Sequence, residues 1–112
     1  MAMTLSDVPE VKPGDIPVGA LVIDVREIDE WVAGHVVGAR HVPLSELPDR
    51  LSELPQQEQL FIVCRSGGRS ARAVAFLSGC GFDAVNIAGG TWAWHEAGLP
   101  MESENGQQPS VM

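Results

Sequence analysis

Residues 60–80 read Leu60-Phe61-Ile62-Val63-Cys64-Arg65-Ser66-Gly67-Gly68-Arg69-Ser70-Ala71-Arg72-Ala73-Val74-Ala75-Phe76-Leu77-Ser78-Gly79-Cys80. The four apolar residues Leu60–Val63 predict a strand buried on both faces. They run without a break into Cys64-Arg65-Ser66-Gly67-Gly68-Arg69-Ser70, whose adjacent glycines predict a tight loop. Beyond it Ala73, Phe76, Leu77 and Cys80 recur at i, i+3, i+4, i+7 spacing, which predicts a helix from Ser70 to Ser78 ended by Gly79 and Gly81. A buried strand followed at once by a helix is the opening of a β–α–β unit, and such units build parallel sheets.

The flanking sequence repeats the alternation. Upstream, Leu21-Val22-Ile23-Asp24-Val25 reads as a second buried strand, and Ile28, Trp31 and Val32 make a short helix stopped by Gly34. Arg40 to Pro43 reads as a brief strand. Leu44, Leu47, Leu51 and Leu54 recur at helical spacing, with Ser45 as N-cap and Pro48 tolerated in the first turn. Downstream, Ala84–Ile87 is a short strand, and Gly89-Gly90 opens a last helix carrying Trp92, Trp94 and His95, ended by Gly98 and Pro100. This order predicts an α/β fold: a three-layer sandwich with a mostly parallel sheet of about five strands and helices on both faces. Residues 1–19, with Pro9, Pro13, Pro17, Gly14 and Gly19, read as an extended segment around Val8–Val11 and a loop leading into a domain over 20–100. Residues 101–112, rich in Glu, Ser, Gln and Asn, read as a mobile tail.

Composition narrows the function classes. A chain of 112 residues is one domain's worth, and 45% hydrophobic with 20% charged residues is a globular balance. Seven basic against fifteen acidic residues give a net charge of −8, which argues against nucleic acid or an anionic membrane as partner. Two cysteines without a CxxC pair make neither a disulfide framework nor a structural zinc site. No apolar run approaches the roughly 20 residues of a bilayer span, and the N-terminus lacks the basic-then-apolar pattern of a secretory signal. The expectation is a soluble, reduced, cytoplasmic protein. Charge is uneven, however. Residues 59–82 hold no Asp or Glu and carry +3 from Arg65, Arg69 and Arg72, while the other 88 residues carry −11. Burial explains missing acids but not three clustered arginines, so the stretch predicts a small anion site on an acidic protein.

The loop has a chemistry of its own. In parallel sheets ligands sit beyond the carboxyl ends of strands, and the end of Val63 is such a place. The glycines let successive N–H groups turn inward as a nest. The following helix adds unpaired N–H groups and the positive end of its dipole. Cys64 at the start of the loop projects into that cradle, where a thiolate, the nucleophilic form, is favoured over a thiol. Arg69 and Arg72 lie near the helix end where cations are disfavoured, a placement that makes sense if they face an anion. Cys80 continues the apolar stripe of the helix and reads as an inert core thiol.

These residues carry a resemblance. The chain resembles a single-domain rhodanese in four segments in the family's order: Ile23-Asp24-Val25-Arg26-Glu27 with Glu30-Trp31; Gly34-His35-Val36-Val37-Gly38-Ala39-Arg40-His41-Val42-Pro43, similar to a GHIxGAxxxP segment; the CRSGGRS loop; and Gly81-Phe82, Asn86-Ile87, Gly89-Gly90, Trp94 and Gly98-Leu99-Pro100. The resemblance spans roughly residues 20–100. It implies the rhodanese-like fold and sulfurtransferase activity, with Cys64 cycling between thiolate and persulfide. It implies that Arg65, Ser66, Gly67, Gly68, Arg69 and Ser70 bind the substrate's anionic sulfur. Arg65 and Arg69 are the side chains it offers to a donor such as thiosulfate, and the acceptor would be a thiol, cyanide or a protein. It implies no cofactor and no metal.

Two rival classes stand beside this reading. The first is a cysteine-dependent phosphatase or arsenate reductase of related architecture. Those loops carry five residues between cysteine and arginine, whereas here only Arg65, Ser66, Gly67 and Gly68 separate Cys64 from Arg69. That cradle suits one sulfur better than a phosphoryl group with three equatorial oxygens. The second is a non-catalytic rhodanese-like binding module, against which an intact Cys64 loop argues. Elsewhere, Asp24 and Arg26 are expected to form an internal ion pair and His35 to be a hydrogen-bonded structural histidine. His41 and His95 lack metal-ligand spacing. Trp31 and Trp94 are expected in the core, while Trp92 is a candidate for the pocket mouth.

Overall fold

The computed structural model describes residues 4–112. The chain forms strands β1 (Glu10–Val11) and β2 (Leu21–Asp24), helix α1 (Ile28–Ala33), strands β3 (His35–Val36) and β4 (Arg40–His41), a 3₁₀ segment (Leu44–Glu53), strand β5 (Leu60–Val63), helix α2 (Gly68–Gly79), strand β6 (Ala84–Ile87), helix α3 (Gly90–Glu96) and strand β7 (Met101–Glu102). Five strands make one parallel sheet in the order β1-β6-β5-β2-β4. Strands β2 and β5 sit at its centre, paired from Leu21↔Leu60 to Asp24↔Val63. This is the expected α/β sandwich.

The strand period of two sorts the core. Ile23, Leu60 and Ile62 face α2 and the 3₁₀ segment, meeting Leu47, Leu54, Ala73, Val74 and Leu77. Val22, Phe61 and Val63 face the other way, onto Val36, Ile87 and Trp94. All four residues of β5 are buried, which explains why it reads as an unbroken apolar run. No helix among the described residues is long and apolar enough to cross a membrane.

Four local readings need correction. Leu44–Glu53 is 3₁₀ rather than α-helix, kinked at Arg50 (φ −119°, ψ 17°), and Ser45 does not cap it. Pro48 lies inside and has no N–H to return to the carbonyl one α-turn back. Helix α2 starts two residues earlier than expected, at Gly68, because left-handed Gly67 (φ +114°) ends the loop. Its buried face is Ser70, Ala73, Val74 and Leu77, so the apolar stripe is rotated and Cys80 caps the helix end as an exposed thiol, not a core one. Phe76, on the same flank, is 39% exposed.

The two terminal segments also differ from their composition. The stretch 1–19, whose first three residues lie outside the described residues, supplies β1, an edge strand of the main sheet. Residues 101–112, read as mobile, pack back on the domain. Met101 and Glu102 pair antiparallel with Val36 and His35. Further on, Glu104 N–H bonds Val32 O at 2.9 Å and Ser110 N–H bonds Ala33 O at 3.0 Å. The tail has few apolar groups to bury, but its backbone satisfies the exposed edge of β3.

Candidate active site

Strand β5 delivers Cys64 to the carboxyl edge of the sheet, with the residue only 1% exposed. The loop that follows is held so that its carbonyls point away from the sulfur. The N–H of Thr91 bonds Cys64 O at 2.8 Å, and that of Trp92 bonds Arg65 O at 3.0 Å, so the first turn of α3 takes up both acceptors. Gly90 (φ +63°) makes this approach possible, since a Cβ there would collide with the carbonyl oxygens of Cys64 and Arg65.

With the carbonyls occupied behind, donors converge in front. Gly67 N–H points at Cys64 Sγ from 3.1 Å and Ser70 Oγ lies 3.2 Å from it. Burial alone would push the thiol up. The Ser70 hydroxyl and the backbone N–H groups of Ser70, Gly67 and Ser66 overcome it, and the thiol sits below its ordinary value. The nest inferred from the glycines is therefore present, and it is built for a negative sulfur.

The loop residues divide by position. Ser70 is fully buried and belongs to the sulfur's own shell, while Ser66 and Gly68 are exposed and Gly67 is half-buried. Arg69 does not stand free. Its Nη1 and Nη2 donate to the two carboxylate oxygens of Glu30, on α1, at 2.7 and 2.8 Å. That fork holds Glu30 below the usual carboxylate range and raises Arg69 above its ordinary value. The cation near the start of α2 thus already faces an anion, supplied by the protein. Arg65 is exposed, stacks 5.5 Å over the Trp92 ring and donates its Nε to Met112 O at 2.5 Å. Trp92, 48% exposed, stands at this rim. Arg72 is exposed on α2.

The supporting residues behave largely as expected. Asp24 and Arg26 form a fully buried ion pair at 2.8 Å, and Arg26 Nη2 also donates to Gly34 O at 2.7 Å, tying β2 to the start of β3. His35 is buried between Val36 O (3.1 Å) and the Glu104 carboxylate (3.0 Å). Trp31 is only half-buried and stacks with His35 and His41, with ring centroids at 3.5 and 4.9 Å. Trp94 is buried, its Nε1 bonded to Pro100 O at 3.0 Å.

Sequence reasoning missed two site residues, Asn86 and Thr91. Asn86 is 2% exposed, accepts from Ser70 Oγ at 2.5 Å and donates to Gly67 O at 3.1 Å. Its signal was an amide inside the buried strand Ala84–Ile87, where Asn is disfavoured and a buried polar group requires partners.

Comparison with known proteins gives the same picture. The family model for the Rhodanese-like domain matches residues 11–97. A protein named sulfurtransferase from Allochromatium vinosum is 38% identical over 87 residues, 77% of this chain and 81% of its own length. A thiosulfate sulfurtransferase, GlpE, from Pseudomonas putida is 35% identical over 89 residues, 79% of this chain and 80% of its own. The crystal structure of a rhodanese-related protein from Thermoplasma volcanium superposes with a TM-score of 0.80 at 32% identity, over 84% of this chain and 97% of that one. The match starts at Val11, the second residue of β1, and runs through the Cys64 loop to the end of α3, so it takes in the other four strands of the parallel sheet and the turn of α3 that fixes the loop. This chain belongs to the rhodanese-like domain family.

Proposed function

We propose that the chain is a sulfurtransferase in which Cys64 carries a sulfane sulfur as a persulfide. The observation that carries the reading is the convergence on Cys64 Sγ of the Gly67 N–H and the Ser70 hydroxyl, with further backbone N–H groups of the nest favouring the thiolate. The thiolate attacks the outer sulfur of thiosulfate. A bond forms between Cys64 Sγ and that sulfur, the bond to the sulfite group breaks, and sulfite leaves with its electron pair. An acceptor thiolate, cyanide or a protein thiol then attacks the outer sulfur, and Cys64 leaves as the thiolate the cradle stabilises. The reaction is two-step and its kinetics are ping-pong.

In this reading Arg65, Ser66, Gly67, Gly68, Arg69 and Ser70 bind the substrate in different ways. The backbone supplies N–H groups to the transferred sulfur. Arg65, on the open rim over Trp92, meets the anionic remainder of the donor by exchanging its bond to Met112 O for it. Arg69, gripped by Glu30, contributes as a fixed element of the loop wall. Two free cysteines are compatible with the reducing cytoplasm, where we place the protein.

Incubation with thiosulfate followed by intact-mass analysis and peptide mapping tests the proposal. One added sulfur at Cys64, discharged by a thiol or cyanide and absent from Cys64→Ala, is the expected result. Loading of Cys80 with Cys64 untouched refutes it. Aryl phosphate hydrolysis by the same preparation, dependent on Cys64 and unaccompanied by sulfur transfer, would establish the phosphatase alternative instead.

A further inference from the structure

The bonds around Asn86 leave its amide no choice of orientation. Gly67 O can only accept, so the group 3.1 Å from it is the amide nitrogen. The amide oxygen therefore faces Ser70 and can only accept from it, at 2.5 Å. Ser70 has a single hydroxyl hydrogen, and two acceptors claim it: Asn86 Oδ1 at 2.5 Å and a Cys64 thiolate at 3.2 Å.

We infer that Asn86 is a positioning residue for Cys64: through the Gly67 carbonyl it ties to strand β6 the residue whose N–H faces the sulfur, and it receives the Ser70 hydrogen whenever the sulfur does not need it. The first half follows from how Gly67 is held: its carbonyl accepts from Ala71 N–H at 3.0 Å as the first bond of α2, and Asn86 Nδ2 at 3.1 Å adds the tie to strand β6. Gly67 is left-handed (φ +114°), and the atoms nearest to where its Cβ would stand are Asn86 Nδ2 at 3.7 Å and Gly89 N at 3.8 Å. Behind it lies a cavity of about 280 Å³ bordered by Ser66, Gly67, Asn86, Gly89 and Glu10, so the rear of the loop is not packed solid.

The second half follows the charge through the cycle and rests on the sulfurtransferase reading above. With Cys64 as thiol, Sγ–H donates to Ser70 Oγ while Ser70 donates to Asn86. When the thiolate forms, the Ser70 hydrogen turns to Sγ. Once the sulfur is loaded the charge sits on the outer atom, and the hydrogen returns to Asn86 instead of being stranded in a buried site. When the acceptor removes that atom, Sγ departs as thiolate and the hydrogen turns back to it. No proton is gained or lost by the hydroxyl at any step.

The charged groups around the sulfur do not duplicate this role. Arg69 on α2 is forked by Glu30 of α1, Asp24 of β2 is paired with Arg26, Arg65 in the loop is turned out over Trp92, and Glu10 of β1 borders the cavity behind Gly67. Asn86 itself is neutral, so it acts through the hydrogen bonds.

The test uses the full chain carrying Cys80→Ser, so that one thiol titrates. Thiolate absorbance is followed against pH, and the rate of alkylation by iodoacetamide is read by intact mass. Neither readout involves a sulfur donor, so failure of the sulfurtransferase reading and failure of this inference are separately visible. In Asn86→Leu the tie is lost and the Ser70 hydrogen is freed. The loss wins, because an N–H bond to a charged sulfur is about twice as strong as the neutral bond released. The titration of Cys64 moves up, and alkylation at neutral pH falls by about tenfold.

Asn86→Asp separates positioning from mere packing. Burial pushes its carboxyl up, and the protonated acid donates to Gly67 O and accepts from Ser70 as the amide does. Its alkylation rate relative to wild type is therefore near one at low pH and falls as the carboxyl ionises, with the fold intact by circular dichroism. A folded Asn86→Leu that titrates with the wild type overturns the inference, as does an Asn86→Asp whose rate ratio is the same at every pH. If Asn86→Leu does not fold, the Asp variant alone decides by the same criterion.

Discussion

Gly90 and Gly98 form a matched pair for measuring what the turn of α3 contributes to the Cys64 loop. Both are left-handed, at φ +63° and +71°. A Cβ at Gly98 meets nothing within 4 Å, whereas one at Gly90 runs into the carbonyl oxygens of Cys64 and Arg65. Placing alanine in a left-handed conformation costs about 1–2 kcal/mol, and both variants bear that cost. Gly90→Ala must in addition push the two carbonyls away from the N–H groups of Thr91 and Trp92, now at 2.8 and 3.0 Å. Losing both bonds adds about 2 kcal/mol, at roughly 1 kcal/mol each. The expected totals are about 1.5 kcal/mol for Gly98→Ala and about 3.5 kcal/mol for Gly90→Ala. Urea denaturation measures both. Cys64 alkylation in the folded state should fall for Gly90→Ala alone, because the rotated Arg65–Ser66 peptide no longer aims the Ser66 N–H at Sγ. Equal destabilisation of the two variants, or unchanged alkylation in Gly90→Ala, would refute the argument that α3 orients the loop.

Other outcomes follow from the ion pair and the tail. Arg69→Ala strands the mostly buried Glu30 carboxylate and should cost about 1–2 kcal/mol, while Arg69→Ala combined with Glu30→Gln should recover most of it in denaturant titrations. If the loop wall needs the pair, thiosulfate turnover stays impaired in both, and a double variant with wild-type kinetics would show that Arg69 is dispensable. Because the folded pKa of Glu30 is lowered from 4.5, its contribution is fully present above that value and is lost as pH falls through the depressed one. The stability gap between wild type and Glu30→Gln should accordingly be constant near pH 6–7 and close below about pH 4.5, as followed by denaturation across pH. Gly34 has extended backbone (φ 170°), so Gly34→Ala brings no strain of its own, but its Cβ strikes the Ser110 backbone. Hydrogen exchange at the Ser110 amide should speed up, and protease should cut within 103–110 faster than in the wild type.

What could be read from the chain alone were the features with a short-range cause. The runs Leu21–Ile23 and Leu60–Val63 announce strands covered on both faces, because every side chain in them is apolar. The glycines of the Cys64 loop announce a backbone that turns N–H groups inward, because left-handed φ is closed to other residues. The thiolate-favouring cradle was therefore predictable before any contact was known, and so was the parallel sheet around it. Only the tertiary structure decided which distant groups complete the site. Arg69 meets Glu30 across 39 positions, Ser70 meets Asn86 across 16 and Arg65 meets Met112 across 47. Nothing local distinguishes an arginine awaiting a substrate anion from one already held by a carboxylate, since both are solvated charges in the isolated sequence. The tail shows the same limit. Composition weighs side chains, and 101–112 has few to bury, yet its place is set by backbone hydrogen bonds to β3 and α1, which every residue but proline can donate and which no composition records.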